Sequence, residues 1–133
     1  MTFALKTLGS TMLAVVIALL ASSCDSGTEW ESGDYEVYWI DMSSDLTLGR
    51  KLPDGNWIGR VGPQVFAVGA DDRWIVAARY PDGDMANPEY FYFAKASDGP
   101  YKNGDEVVLG PFTAKQFEEL KKEHGLPEWS KRF

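Results

Sequence analysis

Among its 133 residues the chain has one cysteine and one histidine. No disulfide can close within a single copy, and no zinc site can be built from several His and Cys. A Ser-His-Asp triad would have to rest on His124, which falls where a helix C-terminus is expected and suits the dipole there. There is no phosphate-binding glycine loop. Asp82-Gly83-Asp84 hints at calcium, but Ala86 and Phe93 stand where an EF-hand loop needs ligands. Basic residues are also scarce: 13 Lys and Arg face 20 Asp and Glu, a net charge of −7. Nucleic acid is a poor partner for such a field, since affinity there comes largely from Lys and Arg at phosphates. The apolar run at residues 12–21 is shorter than the roughly 20 residues a membrane span needs. With 20 acidic residues, a pair of carboxylates carries no information, so a carboxylate-based envelope hydrolase is the weakest option. The expectation is a protein that is no enzyme and holds neither cofactor nor metal.

What the chain does have is a patterned N-terminal sequence. Residues 1–6 are a short n-region with Lys6 its one charged side chain, and residues 7–23 are uncharged. Leu19-Leu20-Ala21-Ser22-Ser23-Cys24-Asp25 follows the apolar run and contains the cysteine. This pattern resembles the lipobox of bacterial lipoproteins, where the chain is cut just before a cysteine that then carries lipid such as palmitate. The departure is that Ala21 stands where Leu is usual, with Leu20 one step early. The resemblance implies cleavage between Ser23 and Cys24, lipidation of Cys24, and a bilayer as the partner of the acylated residue. Ala21-Ser22-Ser23 also satisfies an ordinary small-x-small signal cut. A lone cysteine in a secreted chain calls for a use, and lipidation supplies one. In enteric bacteria an aspartate after that cysteine resembles the signal for retention at the inner membrane, so Asp25 favours an inner-membrane anchor with the domain in the periplasm.

The chain then divides into a signal peptide (1–23), a lipidated cysteine and flexible tether (24–33), and a single β-rich domain (34–133). Without the signal, 12 basic and 20 acidic side chains remain, a net charge of −8. Anionic lipid heads should repel that field, and a basic protein should be drawn to it.

Aromatics are plentiful: 5 Trp, 6 Tyr and 7 Phe. Alternation predicts strands at residues 35–41, 46–52, 57–61, 64–68, 73–80 and 89–95, with a further extended piece at 107–109. Tyr90 and Tyr92 fall on one face of their strand and Phe91 and Phe93 on the other, so the tyrosines read as a surface stripe. Pro53-Asp54-Gly55-Asn56 and Gly69-Ala70-Asp71-Asp72 are turns, and Gly62-Pro63 breaks the chain. A helix is expected at 114–124. Thr113 caps it, Gln116 completes a capping box, Phe112 and Phe117 form a staple, and Gly125 ends it. The expected fold is α+β: an antiparallel meander of five to six strands with one C-terminal helix packed on it, as a monomer.

Trp30, Trp129 and Phe133 lie outside these elements. Trp129 and Trp30 are the candidate partner-binding anchors, with packing over sheet edges as the plainer alternative. The whole resembles small bacterial lipoproteins made of a lipobox, a tether and one β-rich domain, some of which are immunity proteins. The expected function is a membrane-anchored periplasmic lipoprotein binding a protein partner, with a toxin as one such partner. A structural or assembly lipoprotein of the envelope is the alternative.

Overall fold

A computed structural model describes residues 25–133. Ser23, Cys24 and the signal-like segment lie outside the described residues. In chain order the elements are β1 (Ser26–Ser32), β2 (Tyr35–Ile40), β3 (Thr47–Lys51), β4 (Trp57–Val61), β5 (Val65–Ala70), β6 (Trp74–Arg79), β7 (Glu89–Ala94), the one-turn helix α1 (Gly104–Val107), β8 (Leu109–Phe112), the main helix α2 (Ala114–His124) and β9 (Lys131–Arg132). All pairings are antiparallel, but they form two sheets, β1-β2-β3-β4 and β8-β7-β6-β5-β9.

The single meander of five to six strands is therefore corrected to nine strands in two sheets among the described residues. The division falls at Gly62-Pro63, where β4 ends and the chain crosses to β5. A Cβ on Gly62 would come within 2.7 Å of the Thr47 hydroxyl, so the crossing chain runs hard against β3. Alternation looks the same in either sheet, which is why it did not reveal the division.

Two boundaries also move. The expected tether is mostly strand, since Ser26–Ser32 pairs with β2 from Ser26↔Ile40 to Ser32↔Tyr35. Its polar composition belongs to an edge strand with one face in water. Gly33, at φ 58°, makes the tight turn into β2. The extended piece expected at 107–109 is instead the end of α1 and the start of β8.

The two sheets share one core. Val37 from β2, Leu48 from β3, Val68 from β5, Ile75 from β6 and Phe93 from β7 are fully buried in it. Alternation sends Val76 and Tyr92, the neighbours of Ile75 and Phe93, to the outer face of the five-stranded sheet. There Val76, Tyr92, Phe117 and Leu126 form a second buried cluster, edged by Trp74, Tyr90, Phe112 and Trp129. The tyrosine stripe is thus a correction: Tyr90 stacks on Phe117 at 5.2 Å, Phe112 stacks on Tyr92 at 5.8 Å, and Tyr92 is buried. Helix α2 forms from local signals. The Gln116 N–H donates to the Thr113 hydroxyl at 3.2 Å, and the Thr113 N–H donates to Gln116 Oε1 at 2.9 Å. Gly125 takes the left-handed conformation, and the Leu126 N–H returns to the Lys121 carbonyl.

Candidate functional site

Two features stand out, one buried and one open. The buried one is a charge cluster. Arg60 Nε and Nη2 donate to the two oxygens of Asp98 at 3.0 and 2.7 Å, and neither side chain is exposed. Arg60 also donates to the carbonyls of Gly59, Gly99 and Lys102. The Tyr35 hydroxyl donates to Asp98 Oδ2 at 2.7 Å, the Gly99 N–H donates to Oδ1, and Arg50 Nη1 donates to the Tyr35 oxygen at 3.1 Å. A buried ion pair is tolerable when its remaining donors and acceptors are satisfied in this way.

The chemistry follows from that saturation. Burial raises the Asp98 carboxyl, but hydrogen bonds from Arg60, Tyr35 and Gly99, with the Arg60 charge, hold it below its ordinary value. Burial, and then the hydrogen bond to Asp98, push the Tyr35 phenol far above its ordinary value. Neither is poised to exchange a proton near neutrality. The cluster fastens the loop before α1 to β2 and β4.

The open feature is a groove of about 650 Å³. Its apolar wall comes from Leu46, Val65, Phe66, Tyr80, Met85 and Phe133. Phe66 and Tyr80 stack with centroids 4.1 Å apart and planes 14° apart. The Lys131 ammonium sits 5.3 Å above the Phe133 ring and donates to the Glu29 carbonyl at 2.6 Å, which ties β9 to the edge strand of the other sheet. Met85 is 71% exposed and Phe133 40% exposed, so apolar surface stands open to solvent at the rim.

The two tryptophans proposed as anchors lie elsewhere. Trp129 stacks on Phe117 at 5.6 Å and lies 6.2 Å from Tyr90, and Trp30 packs against the main core. Both are half-buried within the domain, the packing over the sheet that stood beside the anchor role as the plainer alternative. Of the three aromatics outside the expected elements, Phe133 is the one that stays exposed. No local signal marks Phe66, Tyr80 or Met85, because the groove gathers them from separate parts of the chain. His124 is exposed, with its ring 5.5 Å from Tyr92 and 5.7 Å from Trp74. Among the described residues no group of three or more His, Cys, Asp or Glu is placed to hold a metal ion, and no helix is long and apolar enough to cross a membrane. No protein-family model, no curated protein and no solved structure matches the chain.

Proposed function

We propose that the chain is a lipoprotein of the bacterial envelope, anchored through an acylated Cys24, whose α+β domain binds a protein partner in the periplasm with α2 closing its outer face. Neutralising a toxin, as an immunity protein does, is the sharpest form of this reading. The observation that carries it is the groove lined by Phe66, Tyr80, Met85 and Phe133. It is a recess fit to take an apolar side chain of a partner, on a domain where the Asp98 carboxylate, with no exposed side-chain surface, is spent on Arg60. The net charge of −8 favours a basic partner, because the field speeds its encounter.

The test is capture from an envelope extract with the full-length protein held in detergent. Met85→Glu places a charge on the open rim without touching the core, so it should abolish capture while leaving the melting temperature unchanged. Tyr101→Glu, at an 88% exposed position that does not line the groove, should capture as wild type does. Equal capture by wild type and Met85→Glu would remove the groove from the reading.

A further inference from the structure

The described fold begins at Asp25, and β1 is already paired at Ser26. The Asp25 carbonyl accepts a hydrogen bond from the Asp41 N–H at 2.8 Å, and Ser26 sits opposite Ile40. Residue 24 is the next one before Asp25 in the sequence. An anchor at residue 24 is thus joined to the domain by one residue that is itself fastened to the β2–β3 turn.

That turn exposes apolar surface. Ile40 is 54% and Met42 59% exposed, and they flank Asp41 in a tight turn closed by the Met42 N–H and the Ile40 carbonyl at 2.8 Å. Asp41 is in the left-handed conformation, at φ 68°. The opposite end of β2, roughly 17 Å away at the usual rise per residue, carries Tyr35 and the buried cluster. The two ends of the strand therefore differ: a polar network at the far end, and two bare apolar side chains beside the chain's point of emergence.

We propose that the Ile40–Met42 turn rests in the surface of the membrane that holds Cys24, as a second, non-covalent contact. This rests on the lipid-anchor reading above. Ile40 and Met42 enter the boundary between headgroups and acyl chains, and Asp25 and Asp41 stay among the headgroups. Two carboxylates at the contact favour a zwitterionic surface, whose ammonium groups can face them, over an anionic one. Ser43 and Ser44 follow directly and line the groove, so the contact also fixes how the groove is presented above the membrane.

The experiment uses full-length protein in vesicles of phosphatidylcholine and phosphatidylethanolamine. With Cys24 acylated, Met42→Cys supplies a single thiol for an environment-sensitive fluorophore, and Tyr101→Cys carries the same label at the far end. Spin-labelled phospholipid should quench the label at 42 several-fold more than that at 101. Adding Ile40→Glu, or replacing half of the lipid with phosphatidylglycerol, should reduce the difference. Equal quenching at the two positions, or quenching at 42 insensitive to Ile40→Glu, overturns the contact. Mass spectrometry of Cys24 in the same sample separates the two ideas. An unmodified thiol overturns the anchor itself, whereas an acylated Cys24 with equal quenching overturns the contact alone.

Discussion

Asp98 and Arg60, 38 residues apart in the chain, form a two-pronged ion pair with no exposed side-chain surface. Removing one partner strands the other as a buried charge, which typically costs 3–5 kcal/mol. Asp98→Ala and Arg60→Ala should each lower stability by about that much in urea titrations. The double variant should lose far less than the sum, because the second removal takes away the stranded charge. Additive losses would show that the pair is not energetically coupled.

The same cluster sets a pH dependence at both extremes. Asp98 is held below its ordinary 3.8, so its contribution is present above that value and is lost as pH falls through the folded-state value. Tyr35 is raised above its ordinary 10.0, so its contribution is full below that value and is lost as pH climbs beyond it. Thermal melts should show Asp98→Asn flattening the acid limb and Tyr35→Phe flattening the alkaline limb. Neither substitution should alter the shape of the curve near neutrality.

Phe117 of α2 stacks on Tyr90 of β7 and is buried beside Val76 and Tyr92. Phe117→Ala should cost about 3–5 kcal/mol, and Thr113→Ala, which removes the cap, about 1 kcal/mol. Trp129→Ala should also lower the melting temperature measurably, because the indole stacks on Phe117. A double-mutant cycle between Phe117 and Trp129 should return a coupling of roughly 0.5–1.5 kcal/mol. No coupling would mean that the two rings do not rest on each other.

Two glycines give opposite expectations. A Cβ on Gly69 would lie 2.3 Å from the Glu128 carbonyl oxygen, so Gly69→Ala must push the C-terminal segment off β5. The expected loss is about 1–3 kcal/mol or more. Gly59 has no atom within 4 Å of such a carbon and no positive φ, so Gly59→Ala should be neutral or slightly stabilising. Chemical denaturation of the two variants side by side checks both.

The net charge predicts how a captured partner should behave once purified. Association should slow as salt rises, because screening weakens the long-range field. Dissociation should respond less, since desolvated contacts in the groove hold the complex. Stopped-flow mixing across a salt series measures both rates. A salt-independent association rate would detach the acidic charge from recognition.

Helix α2 was legible residue by residue because its signals are local. Thr113, Gln116 and Gly125 act on backbone within one turn of themselves, so their spacing along the chain already states their geometry. The alternation of Tyr90, Phe91, Tyr92 and Phe93 was legible for the same reason, since neighbouring side chains on a strand must point to opposite faces. Which face meets what was not. Whether the tyrosines lie in water or under Phe117 depends on where a helix more than twenty residues later comes to rest. The places of Trp129 and of the polar strand β1 were not legible on that account, since each is set by a distant partner, Phe117 and β2. The sequence by itself determined the acidic charge, the single cysteine, the strand alternation and the capped helix. Tertiary structure alone decided the split into two sheets, the meeting of Arg60 with Asp98, and the groove that gathers Phe66, Tyr80, Met85 and Phe133. These arise from contacts between residues far apart in the chain, which no local pattern encodes.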